Sequence, residues 1–360
     1  LITKNYDLIP YPVYFGNGIF KELSENNLFN QYSNVVLCVD KNVSIDSLNI
    51  DSSKIFKFSV EREEVKSIER ITELLTFFKD QQLDRKSLVI AVGGGAVGDA
   101  VGFAASIYMR GVTVLQVPTT LLSMVDSSVG AKTAINFEGI KNLIGTFYPP
   151  VAVCIDTDFL KTLPKREFLS GFSEIIKHGI IEGKTQLDKI CCMVSNLNGN
   201  TNVDDKLLLD LVIDSIETKA NIVGKDPTEK GLRKALNLGH TIGHVIESIS
   251  HINNNSPFLH GEAISYGLTA ELSLASKILK FDLTSAQKAI ELLMSFNLPD
   301  LSKLNATKND ILELIKFDKK NVKGTLNFAL PNKIGDIKLD VSASIDDVYI
   351  ELEKLGIKLS

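Results

Sequence analysis

Short apolar runs and longer helical repeats alternate along the first half of the chain, and helical repeats dominate the second. Val35–Val39, Leu88–Val92, Val112–Val117 and Val151–Ile155 are compact apolar runs. Runs of this length, closed by polar or glycine residues, read as strands buried on both faces. Between them, residues 65–79 and 98–108 carry apolar positions at helical spacing. Strand and helix in alternation predict a parallel α/β sheet. From Leu160 the helical period takes over, at 167–181, 205–223, 236–250, 261–279, 285–296 and 308–317, with one short strand at 326–330. Asn196–Asp205 is polar and reads as a loop. The expected organisation is an α/β N-terminal domain with a parallel Rossmann-like sheet over residues 1–158, and an all-α C-terminal domain over residues 159–360.

Composition narrows the partners more than the fold. Of 360 residues, 44% are apolar and 23% charged, which is ordinary for a globular protein. The net charge of −5 argues against a nucleic-acid partner. No uninterrupted apolar window of about 18 residues occurs, so no membrane partner is expected. Leu1–Asp7 does not read as a signal peptide. Cys38, Cys154, Cys191 and Cys192 lie in apolar surroundings without metal-type spacing. They read as small buried hydrophobes in a reducing compartment, and the cytoplasm is the expected location.

The run Leu88–Val92 breaks into Gly93-Gly94-Gly95-Ala96-Val97-Gly98-Asp99 and resumes as a helix. Gly93, Gly95 and Gly98 satisfy G-x-G-x-x-G at a strand-to-helix turn. Glycines there allow positive φ and let a phosphate approach backbone N–H groups at a helix start. The usual acidic partner about 20 residues on is missing. An earlier strand, however, ends in Asp40, which is suited to ribose hydroxyls. The segment reads as nucleotide-binding without being an ordinary Rossmann unit. The segment Gln116–Ala134 is dense in hydroxyls and small residues, mixed with Val117, Leu121, Leu122, Met124 and Val125. Such a mixture suits a pocket lining, and Lys132 and Lys141 are candidate anion ligands.

Three of the five histidines, His240, His244 and His260, fall in two short pieces. Residues four apart share a helix face, so His240 and His244 point the same way. Gly239 and Gly243 beside them read as room for a ligand. A histidine pair plus a third histidine from another segment is the demand of a catalytic zinc site. Spacing alone pairs His240 with His244. Glu174 lies among Phe172, Ile175 and Ile176, where an unpaired carboxylate is costly to bury. It needs a cation, either a metal or Lys177 in an ion pair on an exposed helix edge. Arg233 and Asn237, four apart on the run into His240, are expected to face one pocket with it. Glycine loop and histidines fall in different domains, which predicts a cleft that closes on its ligand.

In this order the motifs resemble the 3-dehydroquinate synthase family. The resemblance runs from about Tyr11 to Leu330. It rests on Gly93-Gly94-Gly95-x-x-Gly98-Asp99, Pro118-Thr119-Thr120-Leu121-Leu122, Val125-Asp126-Ser127-Ser128-Val129-Gly130 and Lys141-Asn142-Leu143-Ile144-Gly145. It continues through Glu174-Ile175-Ile176-Lys177, Gly231-Leu232-Arg233, Leu236-Asn237-Leu238-Gly239-His240 and His260-Gly261-Glu262. It implies a dehydroquinate synthase-like fold, NAD+ and one divalent metal, Zn2+ or Co2+. The metal ligands it implies are Glu174, His240 and His260, with His244 a polar active-site residue. Substrate and catalytic groups would be Lys132, Asn142, Lys177, Lys219, Arg233, Asn237, Asp126 and one lysine of Asp318-Lys319-Lys320, either Lys320 or Lys319. NAD+ contacts would come from Asp40, Glu63, Lys66, Gly94, Gly95, Asp99, Thr119, Thr120, Lys132, Lys141, Phe159 and Thr162. Three positions depart from the family: Ala131 and Ile140 stand where it usually has glycine, and so does Arg62.

The resemblance implies a small phosphorylated keto acid substrate, 3-deoxy-D-arabino-heptulosonate 7-phosphate, and a homodimer. NAD+ would oxidise one alcohol, phosphate would leave by elimination, the hydride would return, and the ring would close by an aldol step. An iron-type alcohol or glycerol dehydrogenase shares the two-domain plan, but Arg233, Asn237 and the lysines suit a charged substrate. A different sugar-phosphate cyclase, such as 2-deoxy-scyllo-inosose synthase, and a non-catalytic metal- and nucleotide-binding regulator are further alternatives.

Overall fold

The central strands keep no polar face. Leu88–Gly93 and Ala152–Asp156 are buried at every position. They belong to a seven-stranded sheet in the computed structural model, which describes residues 2–7, 9–25, 28–45, 52–59, 62–195, 204–253, 257–317 and 326–359. The spatial order is Ile2–Lys4, Val13–Gly16, Ala152–Asp156, Thr113–Pro118, Leu88–Gly93, Val35–Val39, Ile55–Lys57. Pairing is parallel throughout except between the first two, at one edge. Alternate residues feed two cores, as the pleat requires. Val36, Cys38, Val89 and Ala91 pack with Val97, Val101 and Phe78 on one face. Leu37, Val39, Ile90 and Val92 pack with Ile19, Phe20 and Leu115 on the other. Val39 stands opposite Val92, and Val92 opposite Val117. Asp40, Gly94 and Thr119 therefore emerge together at the carboxyl edge, where open α/β sheets bind ligands.

Two compact units emerge: residues 1–164 with 204–224, and residues 165–203 with 225–360. The division falls at Pro164 rather than at residue 158, and most of the helix Asp205–Lys225 returns to the first unit. Lys219 on that helix donates to the Asp126 carbonyl at 2.6 Å, and Glu217 accepts from Lys4 at 3.0 Å. Such long-range ties leave no trace in local periodicity.

The pocket-lining segment after Val117 holds more structure than expected. Lys132–Phe137 and Ile140–Phe147 form an antiparallel hairpin. Its turn, Glu138-Gly139, has φ of 49° and 78°, the conformation favoured in two-residue hairpins. A Cβ at Gly145 would lie 2.2 Å from the Thr133 carbonyl oxygen, so only glycine fits there. The second strand is largely solvated and a bulge interrupts the register, so no strand-like alternation marks it.

The second unit is mainly helical, and adds one antiparallel pair, Leu326–Lys333 with Asp336–Ala343. Two helices expected to be continuous are broken. The segment 167–181 divides into Lys165–Ser170 and Phe172–Glu182. The segment 236–250 becomes a 3-10 turn, Leu232–Asn237, and a helix, His240–Asn253. Gly239 separates them with φ +81°, a conformation glycine adopts without penalty. Cys192 is exposed, unlike the other three cysteines. Among the described residues no helix is long and apolar enough to cross a membrane.

Candidate active site

In the first unit the glycine loop is shaped by close packing. Gly94 has φ −70° and caps the helix Gly95–Ile107. Gly93, Gly95 and Gly98 also stay outside the left-handed region, so the expected positive φ is not what they supply. A Cβ on Gly93 would come within 2.7 Å of Val97 Cβ, on Gly95 within 2.9 Å of Ser127 Oγ, and on Gly98 within 2.8 Å of Gln116 Oε1. Gly94, Gly95, Asp99, Ser127 and Lys132 line one small hollow.

Lys66, only 4% exposed, donates to Asp99 Oδ2 at 2.7 Å and also meets Asn142 Oδ1. Asn142 has φ +55°, which its short polar side chain tolerates. The Thr119 N–H donates to the Gly93 carbonyl at 2.9 Å, and the Thr120 hydroxyl bonds to Ser123 Oγ at 2.9 Å. Asp126 sits on a π-helical turn, Ser123–Ser127, and accepts from Lys219 at 2.5 Å. Lys132 follows Ala131, which has φ +57°. Lys132 and Lys141 are exposed. Phe159 packs against Phe20, and Thr162 donates to the Phe159 carbonyl. Asp40 accepts from the Asn42 N–H at 2.9 Å. Glu63 belongs to the 3-10 turn Arg62–Lys66, and its side chain lies outside the described residues, as does all of Lys320.

In the second unit, Glu174 and Lys177 share one face of Phe172–Glu182. They form an ion pair, but a fully buried one, 0% and 1% exposed, not the exposed helix edge considered from sequence. Glu174 Oε1 has no hydrogen-bond partner. It lies 3.6 Å from His240 Nε2 and 3.8 Å from His260 Nε2. The opposite nitrogens are held: His240 Nδ1 lies 3.2 Å from the Leu238 carbonyl, and His260 Nδ1 lies 3.1 Å from Glu247 Oε2. A carbonyl only accepts, so His240 carries its proton on Nδ1 and turns a lone pair toward Glu174. An ionised Glu247 imposes the same tautomer on His260.

His244, which is exposed, completes the cluster. Ring centroids are 5.2 Å from His240 and 5.6 Å from His260, and one ligand nitrogen from each histidine lies within 4.8 Å of the others. Around a tetrahedral zinc with bonds of about 2.0–2.1 Å, donors lie about 3.3 Å apart. The set Glu174, His240 and His260 approaches that spacing at the carboxylate, whose Oε1 lies within about half an ångström of it from each facing ring nitrogen. Its buried, unbonded oxygen fits a cation.

The histidines are placed by helix starts. His240 and His260 each open a helix. Buried Glu271 accepts from the Gly239 N–H at 2.6 Å and the Ile242 N–H at 3.0 Å, pinning the first start. A Cβ on Gly261 would lie 1.9 Å from the Ser170 carbonyl oxygen, which fixes the second. Arg166 clamps Glu262 at 2.6 Å and 2.7 Å, and that bond raises the guanidinium above its ordinary value. Gly239 and Gly243 do not open space for a ligand. Cβ atoms there would meet Leu268 and Ile264 at 2.7 Å, so they serve close helix packing.

Arg233 and Asn237 lie on the 3-10 turn and not on the histidine helix. Arg233 donates to the Pro227 carbonyl at 2.7 Å, and Asn237 to Glu229 Oε1 at 2.8 Å. Asp226 gathers the loop by accepting from the N–H groups of Lys230, Gly231 and Arg233. Desolvation pushes its carboxyl up, but these three bonds prevail and hold it below the usual range. Glu229, Glu247 and Glu271 escaped the sequence reading. Glu247 alone had a signal: 240, 244 and 247 follow the i, i+4, i+7 spacing of one helix face.

Residues 57–170 match the 3-dehydroquinate synthase N-terminal family, and residues 171–321 the 3-dehydroquinate synthase C-terminal family. The 3-dehydroquinate synthase of Thermodesulfovibrio yellowstonii is 42% identical over 278 residues, 77% of this chain and 75% of that protein. That of Prochlorococcus marinus strain MIT 9515 is 40% identical over 334 residues, 90% of each. A solved 2-deoxy-scyllo-inosose synthase, complexed with carbaglucose-6-phosphate, NAD+ and Co2+, aligns with a TM-score of 0.81. The alignment covers 98% of this chain and 100% of that one at 23% identity, a likeness of fold. The two family matches adjoin, and between them they take in the glycine loop, Glu174 and the clustered histidines; the chain belongs to the 3-dehydroquinate synthase family.

Proposed function

We propose that the chain is a carbon–oxygen lyase. It converts 3-deoxy-D-arabino-heptulosonate 7-phosphate to 3-dehydroquinate and phosphate, using NAD+ and one divalent metal, zinc or cobalt. Beyond family membership, one observation carries the reading. A buried carboxylate oxygen without a hydrogen bond faces two histidine nitrogens of fixed tautomer, and Lys177 is buried beside it.

When bound, the metal supplies Lewis acidity to a substrate hydroxyl pair, and NAD+ supplies a hydride sink restored within each turnover. The chain's own residues do the rest. Glu174, His240 and His260 hold the metal. Lys177, Arg233 and Asn237 bind anionic and hydroxyl groups of the substrate in the second unit, Arg233 by its planar fork. His244 takes the hydroxyl proton on its imidazole. In the first unit, Asp40, Gly94, Gly95, Asp99 and Thr119 bind the dinucleotide, and Lys132, Asn142 and Lys219 are anion-binding groups. The homodimer implied by the resemblance is part of this proposal and is read by sedimentation.

The decisive assay follows phosphate and NADH together. The heptulosonate phosphate with trace NAD+ should yield many phosphates per NAD+, with NADH never exceeding the enzyme concentration. Steady NADH production from a simple alcohol, without phosphate release, would overturn the proposal in favour of a dehydrogenase.

A further inference from the structure

The two histidines that face Glu174 are held from behind by different chemistry. His240 Nδ1 meets a neutral carbonyl, that of Leu238. His260 Nδ1 meets a carboxylate, that of Glu247, at 3.1 Å. Glu247 is 11% exposed at its side chain, and lies on the same helix as His240 and His244. We infer that Glu247 is a positioning residue of the metal site, which fixes His260 with Nε2 toward the metal and strengthens it as a donor. This rests on the proposed ligand set of Glu174, His240 and His260.

Three observations support it beyond the contact itself. First, the register between Glu247 and His260 is built into the main chain. Ser250 Oγ donates to the Glu247 carbonyl at 2.7 Å and accepts from the Phe258 N–H at 3.0 Å. One hydroxyl thus ties the turn carrying Glu247 to the segment that leads into His260. Second, the His260 ring is 28% exposed, against 13% for His240. Its orientation is less fixed by packing and depends more on a directed bond. Third, a carboxylate behind an imidazole fixes its tautomer and increases its basicity more than a carbonyl does. The two histidines are therefore unequal ligands, and His260 is the stronger donor because of Glu247.

The test compares Glu247→Ala and Glu247→Gln with the unaltered chain, starting from metal-free protein and titrating with Co2+ against a competing chelator. Glu247→Ala should weaken Co2+ binding about 10- to 100-fold. Glu247→Gln should recover part of that loss, since its amide carbonyl still accepts from Nδ1 but carries no charge. The visible bands of bound Co2+ should shift in both variants. Unchanged affinity and an unchanged spectrum in both would overturn the inference. A measurement on the unaltered zinc-loaded protein needs no variant: imidazole 15N shifts should show His260 protonated at Nδ1 and metal-bound at Nε2. Metal at Nδ1 would overturn the inference as well. Glu174→Ala separates the two levels. If it keeps full metal, the ligand set itself fails; if it loses metal while the Glu247 variants bind normally, only the role of Glu247 fails.

Discussion

The two units treat buried charge differently. In the first, the buried ammonium groups already have their anions: Lys66 with Asp99, Lys219 with Asp126. The glycine loop adds backbone and close packing, and its shape is complete as it stands. In the second, Glu174 Oε1 is buried without a hydrogen bond, although Lys177 offsets the carboxylate charge. A buried acceptor left unmade costs about 1–3 kcal/mol. Around its glycine loop the first unit presents a finished surface, and around Glu174 the second is completed by what it binds. Ligand removal should therefore be felt mainly in the second.

The largest expected effect breaks the second unit. Glu174→Ala should abolish stoichiometric metal binding and reduce phosphate release by on the order of a thousandfold, since a bound metal is worth several kcal/mol in the transition state. It should also destabilise the metal-free protein by about 3–5 kcal/mol, because Lys177 is left buried without its partner. Elemental analysis and urea unfolding read the two parts. Retained metal would remove Glu174 from the site.

The converse change belongs to the first unit. Gly95→Val should weaken NAD+ binding about 5- to 150-fold, as the new side chain must displace Ser127 at an overpacking cost of about 1–3 kcal/mol. Metal content should stay at that of the unaltered chain. Equal damage to both ligands, by NAD+ titration and elemental analysis, would mean that the units are not separable in this way.

A smaller effect sharpens the idea of a finished surface. Ala131 holds φ +57°, a conformation costing an L side chain about 1–2 kcal/mol. Ala131→Gly should relieve it, less about 0.4–1 kcal/mol of added freedom in the unfolded chain. A net gain of at most about 1.6 kcal/mol should appear as a higher urea midpoint. A lower midpoint would show that Ala131 is not strained.

The smallest effect concerns pH. The folded-state pKa of Asp226 is lowered, so its contribution is present above the unfolded value and is lost as pH falls through the lower folded one. Asp226→Asn should lower the urea midpoint at neutral pH and converge with the unaltered chain at strongly acid pH. Curves that stay parallel down to acid pH would show that its three N–H bonds do not depend on charge.

Legibility followed the range of the forces. Val35–Val39 and Leu88–Gly93 were readable because burial on both faces demands an unbroken apolar run. The helix predicted from 65 begins at Ile68 because the Ser67 hydroxyl caps it by accepting from the Arg70 N–H. The hairpin Lys132–Phe147 was hidden because its second strand is mostly solvated. The break at Gly239 was hidden because a close helix crossing, not local propensity, demands it.

By itself the sequence determined the α/β pattern, the glycine turn, and the presence of carboxylate and imidazole donors in apolar surroundings, since each follows from residue type and spacing over a few turns. The family followed from the order of motifs. Only the tertiary structure decided which donors converge. Spacing paired His240 with His244, whereas the fold turns His240 and His260 toward Glu174. That choice depends on where two helices begin, on Glu271 and Ser170 holding those starts, and on Leu238 and Glu247 fixing the ring nitrogens. Side-chain direction is set by contacts between segments far apart in the chain, and no local pattern encodes those contacts.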